Sequence, residues 1–295
     1  MKKLLSLLLS LPSYLRRIKF IYRAKFMAKM MHVDLDISVD QRVKIGRNVI
    51  LKLEAGNPVT VHIGPNVVIE DDVRFEVRNN VGHNPTLWIE ANAIIHPHAV
   101  LLFGGHLIFK GMNEIGLGTV IRCTQYIEWG SPSGTGEYVS VYDFLHATDS
   151  AQTTMYQSVL ISQPVKIGDW VMLAAKAVVN PGSTISDMTI VAPNSVVSGN
   201  HGEPLDILAG IPAKHLFKPE MWPLLDNPFI NAVTSWIGDK PGAGFKTVEE
   251  ARKMTPDPGR YRMDQHGWDA IVNMGKKRAG QEVEEGAEVA RTKAD

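Results

Sequence analysis

The chain carries an aliphatic residue at every sixth position over a long stretch past its middle. The series consists of Ile167, Leu173, Val179, Ile185, Val191 and Val197. Neither an α-helix, with its period of 3.6, nor a half-buried strand, with its period of 2, produces this spacing. A period of six requires a chain that turns through equal flat faces, with one inward aliphatic residue on each face. Such repeats bury their apolar side only by stacking, so the pattern predicts an all-β solenoid with a continuous core.

The same spacing recurs in shorter runs upstream. The residues in register are Ile45, Leu51, Ile63, Ile69, Phe75 and Val81, then Ile89, Ile95, Leu101 and Leu107, then Ile115, Ile121 and Ile127. Asn57, between Gly56 and Pro58, interrupts the first run and predicts a local outward loop. The phase slips from Val81 to Ile89 and from Leu107 to Ile115 predict short insertions that project from the solenoid as loops.

Glycine follows the aliphatic residue in several repeats. These glycines are Gly46, Gly64, Gly116 and Gly168. We expect the chain to turn sharply there, because glycine accepts a positive φ at low cost. Asparagine or aspartate comes shortly afterwards, and both residue types tolerate tight turns.

Two segments give the repeat a family resemblance. Residues 164–182, PVKIGDWVMLAAKAVVNPG, resemble the closing coils of the maltose, galactoside and polysaccharide O-acetyltransferases of the hexapeptide-repeat family. Residues 209–214, AGIPAK, resemble the usual ending AGNPAK, with Ile211 in place of asparagine. The resemblance covers residues 33–217 and implies a left-handed parallel β-helix, a homotrimer, and acetyl-CoA or another acyl-CoA as co-substrate.

The two ends of the chain differ from this central domain. Residues 1–32 are basic and leucine-rich, and they predict a helical segment that lies on an anionic membrane surface or packs on the trimer. A cleaved secretory signal fits less well, because a small-residue cleavage site is missing and a strongly basic stretch follows directly. Residues 218–295 lack the repeat and predict a partly disordered extension with short helices.

Composition narrows the function classes. The formal net charge of the 295 residues is zero, without the basic balance of a nucleic-acid-binding protein. The single cysteine, Cys123, excludes an intrachain disulfide and fits a reducing compartment. We interpret Cys123 as a small residue of the solenoid wall rather than a reactive thiol. These features predict a cytoplasmic protein, with peripheral contact to the inner membrane face through residues 1–31 as a further hypothesis.

The candidate catalytic residue is His146, in the segment VYDFLHATDS. The six-residue phase breaks after Val141 and resumes at Ile161, and the polar interval between them predicts a loop thrown out of one corner. The family resemblance places a catalytic histidine about twenty residues before the IGD coil, and His146 lies 21 residues before Ile167. A loop histidine that merely caps the chain or binds water is the alternative.

The chemistry of the resemblance gives His146 the role of general base. A neutral imidazole can take the proton of a sugar hydroxyl as that hydroxyl attacks a thioester carbonyl directly, without an acyl-enzyme. The oxyanion that forms needs a hydrogen-bond donor, often a backbone N–H. Asp143, Asp149 or a backbone carbonyl is expected to orient the imidazole, and Asp143 is also a candidate substrate contact.

The resemblance also predicts where the acyl-CoA lies. Ala174 and Ala175 stand where the family has small residues that allow the pantetheine arm to approach the wall between adjacent subunits. Lys214 corresponds to a residue that approaches the CoA phosphates. Ordinary coil packing for the alanines and a solvated surface lysine are the alternatives. Trp170 and Met172 depart from the family's usual residues and leave the shape of the acceptor pocket open.

These features predict an acetyl-CoA-dependent O-acetyltransferase. Its acceptor would be a sugar hydroxyl of a saccharide, a glycolipid or a cell-envelope polysaccharide precursor. The alternatives are an N-acyltransferase for an amino sugar, a zinc-dependent β-helix carbonic anhydrase, and a scaffold subunit without activity. The zinc enzyme needs three converging histidines. The histidines of the earlier coils do not match that arrangement, so we expect no metal; they are His62, His83, His96, His98 and His106.

Overall fold

The computed structural model describes residues 2–78, 83–146, 160–204 and 206–217. Within these ranges one helix precedes a succession of short strands. Helix α1 spans Lys2–Met30, and the chain then visits three sheets in turn, one strand in each. Each such circuit is one coil, and the strands of successive coils pair in parallel. The predicted all-β solenoid is therefore confirmed as a parallel β-helix.

The three sheets form the three walls of the solenoid. The first contains β1 (Leu35–Val39), β4 (Val59–Ile63), β7 (Thr86–Ile89), β10 (His106–Phe109), β13 (Tyr126–Trp129), β18 (Val165–Ile167), β21 (Thr184–Ile185) and β24 (Asn200–His201). The second contains β2 (Lys44–Ile45), β5 (Val68–Ile69), β8 (Ile94–Ile95), β11 (Asn113–Ile115), β14 (Ser133–Thr135), β19 (Met172–Leu173), β22 (Ile190–Val191), β25 (Ile207–Gly210) and the antiparallel β26 (Ala213–Phe217). The third contains β3 (Ile50–Lys52), β6 (Arg74–Val77), β9 (Val100–Phe103), β12 (Val120–Cys123), β15 (Ser140–Tyr142), β20 (Val178–Val179) and β23 (Val196–Val197). A separate antiparallel pair consists of β16 (Phe144–His146) and β17 (Leu160–Ser162).

The aliphatic residues of the six-residue series form the core. Ile167, Leu173, Val179 and their successors are at most 3% exposed, and the described upstream members are buried as well. All of them belong to one continuous hydrophobic cluster. Val81 lies outside the described residues. The period of six therefore marks the inward positions, as predicted.

The coils differ in length, and this corrects one prediction. Thr184 pairs with Lys166, eighteen residues earlier, so this coil is three hexapeptides long. Tyr126 pairs with His106, twenty residues earlier. The two additional residues widen the first wall, where Leu107 and Phe109 both point inward and are buried. The slip from Leu107 to Ile115 therefore enlarges the core, and the outward loop predicted there is wrong. Part of the other slip, at 79–82, lies outside the described residues.

The glycines that follow the aliphatic residues are required for a reason other than the predicted positive φ. A Cβ on Gly168 would lie 2.7 Å from the backbone nitrogen of Asp187 in the next coil. The left-handed conformation occurs two positions later, at Asn48 (φ 55°), Asn66 (φ 59°) and Trp170 (φ 60°). Close stacking of successive corners thus selects glycine, whereas the left-handed turn residue is asparagine at two of these positions and tryptophan at the third.

Helix α1 packs across the first coil. Phe20, Ala24 and Ala28 are buried, and the Phe20 ring meets the Phe75 ring edge-on with 6.3 Å between centroids. The Arg16 Nε donates a hydrogen bond to the carbonyl of Ile45. The apolar end of the solenoid is thereby covered by the chain's own helix. None of the described helical residues belongs to a segment that is long and apolar enough to span a bilayer.

The predicted C-terminal extension, residues 218–295, lies outside the described residues. The expectations of short helices and of disorder there stay predictions.

Candidate active site

The predicted loop around His146 leaves the solenoid at a corner. Strand β15 of the third wall ends at Tyr142, and β16 then turns outward and pairs with the returning β17. The solenoid resumes at β18. We call residues 144–162 the arm; its tip, 147–159, lies outside the described residues. The break in the six-residue phase thus corresponds to an excursion between two coils, as predicted.

His146 occupies the outer end of β16. It pairs with Leu160 across the arm, and its side chain is exposed. An exposed imidazole on a strand that projects from the wall is accessible to a substrate bound beside the solenoid. The role of His146 as general base, which also needs hydrogen-bond reach to the proton that is removed, stays a prediction.

Asp143 lies at the base of the arm and is fully buried. Its carboxylate accepts hydrogen bonds from the backbone N–H groups of Thr124 (2.6 Å), Gln125 (2.7 Å) and Tyr126 (2.8 Å). Burial raises the pKa of this carboxyl group, while the three backbone hydrogen bonds act in the opposite direction. The described hydrogen bonds of Asp143 thus go to the preceding corner and not to His146. Burial of Asp143 does not favour the predicted substrate contact, which stays a prediction.

The backbone of Asp143 also closes the arm. Its carbonyl accepts hydrogen bonds from the backbone N–H of Gln163 (2.7 Å) and from the Ser162 hydroxyl (3.1 Å). Asp143 therefore links β16, which leaves the wall, to β17, which returns to it, and to the corner at residues 124–126. The direction in which the arm leaves the wall depends on this residue.

Cys123 is a neighbour of Asp143 and is buried. Its thiol donates to the carbonyl of His106 at 3.3 Å. Burial, together with the nearby Asp143 carboxylate, raises the pKa of the thiol well above its ordinary value. The thiolate that a nucleophile would need is therefore disfavoured, in agreement with the structural role predicted for Cys123.

The sequence did not point to two polar features beside the base of the arm. On the first wall, the Tyr126 hydroxyl donates to Glu128, which also accepts from Lys110 at 2.7 Å. Burial and the Glu128 carboxylate raise the pKa of Tyr126 to about 12, so the phenol keeps its proton at neutral pH. On the third wall, the Arg122 guanidinium lies over the Phe144 ring, 5.7 Å from its centroid.

Ala174 belongs to a column of small residues at the corner between the second and third walls. Gly136, Ala174, Ala192 and Ala209 follow one another in register, because β14, β19, β22 and β25 pair in that order. Ala175 lies next to Ala174, and a Cβ on Gly136 would lie 2.8 Å from its backbone nitrogen. We call Gly136, Ala174, Ala192 and Ala209 the small-residue column. Ala192 and Ala209 share the position that directly follows an inward aliphatic residue, and this signal would have identified them from the sequence.

Lys214 lies at the end of this column. Strand β26 folds back antiparallel on β25, and Lys214 is opposite Ala209. Its side chain is exposed. Lys214 lies three strands beyond Ala174, in the order β19, β22, β25 and β26, and successive strands are about 4.8 Å apart. The residues predicted to bind the donor therefore share one edge of the solenoid, with a cation at its end.

The arm and the small-residue column lie at different corners of the same chain. The arm leaves at the end of the third wall, and the column runs along the beginning of that wall. One chain therefore separates His146 from Ala174 by the width of this wall. A second copy is needed if the two groups are to meet.

The histidines of the earlier coils make other contacts. His96 lies between two carboxylates, with Nδ1 2.8 Å from Glu70 and Nε2 2.8 Å from Glu114. The His62 ring stacks on the Trp88 indole, with 4.1 Å between centroids. Among the described residues, no group of three or more histidine, cysteine or acidic side chains is arranged to hold a metal ion.

Comparison with known proteins yields matches of fold. No protein-family model and no curated protein matches the chain. A mutant of AntD, an N-acyltransferase from Bacillus cereus, in complex with dTDP and coenzyme A, is 17% identical; the match covers 54% of this chain and 84% of that chain, with a TM-score of 0.43. The polySia-specific acetyltransferase NeuO is 16% identical over 66% of this chain and 90% of that chain, with a TM-score of 0.41.

A maltose O-acetyltransferase from Clostridium difficile 630 is 20% identical; the match covers 45% of this chain and 69% of that chain, with a TM-score of 0.32. At these identities the similarity concerns the fold and assigns no activity by itself.

Proposed function

We propose that the protein transfers an acyl group, most simply acetyl, from acyl-CoA to a sugar hydroxyl. The observation that carries the proposal is the exposed His146 on an arm that leaves the solenoid in the coil where the small-residue column begins at Gly136, one coil before Ala174. Such a transfer needs two parts. One is an accessible base, here on the projecting strand β16, and the other is a surface of small side chains against which the pantetheine arm of the donor can lie.

His146 acts as the general base. A neutral imidazole near the acceptor hydroxyl removes its proton while the oxygen attacks the thioester carbonyl. The new C–O bond replaces the C–S bond, and free CoA leaves as the thiol after it takes up the proton. Because the pKa of the Cys123 thiol is raised by burial, direct attack is favoured over an acyl-cysteine intermediate.

The small-residue column supports the donor end of the proposal. Side chains no larger than alanine at Gly136, Ala174, Ala192 and Ala209 leave room for the pantetheine arm to lie against the wall. The exposed Lys214 at the end of the column gives the CoA phosphates a cation. The thiol end would then point back along the column toward earlier coils.

A homotrimer completes the site in this proposal. The width of the third wall separates His146 from the column within one chain. A threefold arrangement of three copies places the arm of one beside the column of the next, so that each site takes its base and its donor wall from different subunits.

The test is release of free CoA from acetyl-CoA by the wild type and by His146→Ala. The acceptor panel contains neutral sugars, amino sugars and glycolipid extracts. We expect release that depends on a hydroxyl acceptor and that falls on the order of 10²-fold in the variant. His32→Ala, which removes a histidine beyond α1, is the matched control and should keep full activity.

Other outcomes would contradict parts of the proposal. Acylation of amino sugars alone would show N-transfer, and unchanged release by His146→Ala would remove the base. If the protein neither binds CoA nor releases it from acetyl-CoA with any acceptor, the alternative of a scaffold subunit without activity would be favoured. Carbon dioxide hydration by protein with stoichiometric zinc would favour the carbonic anhydrase.

A further inference from the structure

Helix α1 has a second apolar face opposite the one that covers the solenoid. Phe20, Ala24 and Ala28 point to the core. Leu15, Tyr22, Phe26 and Met30 are each more than half exposed: 55%, 71%, 63% and 62%. Their spacing of seven, four and four residues aligns them on one side of a helix. We call these four residues the outer stripe.

Cations border the outer stripe on both sides. At 100° per residue, Arg23 falls on one edge, Lys25 and Lys29 fall on the other, and Lys19 lies within the stripe itself. All four side chains are exposed. Residues 1–33 contain eight Lys and Arg and no Asp or Glu. The whole chain has 31 of each charge type, so residues 34–295 carry 23 cations and 31 anions. A net charge of +8 is therefore concentrated on the helix, against −8 elsewhere.

We propose that the outer stripe docks on an anionic lipid surface, with α1 lying in the plane of the membrane. Leucine and phenylalanine side chains enter the acyl boundary, and aromatic rings with a polar tip sit at the headgroup level. Lysine and arginine at the edges extend to the phosphates while their stems cover apolar surface. The sequence before Pro12 holds six further leucines and continues the same helix.

The positive charge of α1 favours an anionic lipid surface over the other possible partners of the outer stripe. A second copy would bring two helices of like charge together, which opposes association through this face. Nucleic acid would neutralise the cations but would leave Leu15, Phe26 and Met30 in water. An anionic bilayer satisfies both the cations and the apolar stripe.

The docked orientation places the arm at a defined height. Because α1 covers the first coil, the solenoid stands with that coil toward the membrane. The arm follows β15 in the fifth coil, four strand spacings further on, or about 19 Å from the first coil. Docking of α1 does not depend on the proposed function. If docking and the proposed acyl transfer both hold, the substrate class is a lipid-linked acceptor that reaches the arm through its own sugar chain.

The experiment measures binding of the full-length protein to sedimented vesicles. One set is phosphatidylcholine alone, and the other contains phosphatidylglycerol in phosphatidylcholine. We expect binding to the anionic vesicles and at least tenfold weaker binding to the neutral ones. Tyr22→Ser combined with Phe26→Ser should abolish sedimentation, whereas Tyr138→Ser, a similarly exposed tyrosine on the solenoid, should leave it unchanged.

A second pair of variants tests the charge. The double substitution Lys19→Gln with Lys29→Gln should weaken binding to anionic vesicles roughly 30-fold. Each lysine near the surface contributes a factor of about five to the affinity, and the two factors multiply. Lys176→Gln, an exposed lysine of the solenoid, is the matched control. All of these substitutions lie on exposed positions, so the far-ultraviolet circular dichroism of each variant should match the wild type.

Several outcomes would overturn the proposal. One is equal binding of wild type and stripe variants. Another is binding to an oligonucleotide but to neither vesicle. A third is self-association that the stripe variants abolish in the absence of lipid. Activity on water-soluble acceptors should survive every substitution in α1, so a failure of docking is distinguishable from a failure of the proposed acyl transfer.

Discussion

Asp143 shows how the solenoid fixes a functional arm with one side chain. Three backbone N–H groups of the preceding corner converge on its carboxylate, and its own carbonyl holds the returning strand. The carboxylate is fully buried, so its hydrogen bonds are shielded from water. Asp143 is a positioning residue for the arm that carries His146, and in the proposed function it would affect acyl transfer only through the place at which His146 is held.

Asp143→Asn should destabilise the fold. An amide offers one acceptor oxygen, so at least one buried N–H group loses its partner and faces the amide's NH₂ group. We expect a loss of about 1–3 kcal/mol in the free energy of unfolding, measured by urea denaturation. Asp187→Asn is the matched control, because Asp187 is exposed and accepts one backbone N–H through one oxygen, which asparagine reproduces. Lower activity with unchanged stability would contradict this interpretation.

His96 should make part of the stability depend on pH. Partial burial lowers its pKa, but the hydrogen bonds to Glu114 and Glu70 outweigh that effect and raise the pKa above 6.5. The charged form is thus favoured in the folded state. Its contribution is fully present below the unfolded pKa of about 6.5 and is lost as the pH rises through the folded pKa.

The stability difference between wild type and His96→Gln should therefore be larger at pH 6 than at pH 9. Urea denaturation at both pH values measures it. Glu70→Gln removes one carboxylate partner and should reduce the pH dependence while His96 remains. A difference that is equal at the two pH values would show that the pair of carboxylates does not hold the imidazolium.

At the residue scale, the sequence predicts the positions that repeat and misses those that depend on stacking. Each inward aliphatic residue is recognisable because the same packing requirement returns every sixth residue. Asp143 bonds to Thr124, nineteen residues earlier, and no local pattern records that contact. The glycines were identified as corner residues, but the φ that a corner needs lies two residues later.

At the scale of elements, the small-residue column gives a direct test of where the donor lies. Ala192 lies in the middle of the column and is partly exposed. A tyrosine there would occupy the space along the wall that the pantetheine arm needs. We expect Ala192→Tyr to weaken CoA binding at least tenfold in isothermal titration calorimetry. A tenfold change corresponds to a loss of about 1.4 kcal/mol of binding free energy.

Ser186→Tyr is the control for this substitution. Ser186 follows the inward Ile185 as Ala192 follows Val191 and is partly exposed, but it lies at the corner between the first and second walls. Its substitution adds the same bulk away from the column and should leave CoA affinity unchanged. Equal weakening by both variants, or by neither, would exclude the column as the donor wall.

Elements were predictable to different degrees. The excursion at the arm was visible because two hexapeptide phases bracket a polar interval. The widened coils were not, because two additional residues can extend a strand or form a loop, and only the inward position of Phe109 distinguishes them. The helical N-terminal segment was visible from its composition. Its packing on the solenoid includes the contact of Phe20 with Phe75 of the second coil, which is a tertiary contact that composition does not predict.

At the scale of the whole molecule, mixing two inactive variants tests whether the site lies between subunits. His146→Ala lacks the base, and Ala192→Tyr lacks the donor wall. Mixed trimers contain interfaces that combine an intact His146 from one subunit with an intact column from the next. Equal mixing with random assembly restores about a quarter of the wild-type activity if the trimer is cyclic.

The mixture is prepared by denaturing and refolding the two variants together, and CoA release is measured. Separate refolding of each variant, followed by mixing, is the control and should stay inactive while subunits do not exchange. No recovery in the co-refolded sample, with trimers confirmed by light scattering, would show that His146 and the column of one chain act together.

The pairing of β13 with β18 has a consequence for how the protein is able to change. Ile127 pairs with Val165, 38 residues later, so the ladder of the first wall runs unbroken past the arm. Sequence inserted between Asp143 and Gln163 therefore adds no gap to the solenoid, and doubling its length costs only about 0.6 kcal/mol of closure entropy. The arm is therefore an insertion between two fixed anchors, and an arm from another β-helix that is grafted onto Asp143 and Gln163 should leave the core unchanged.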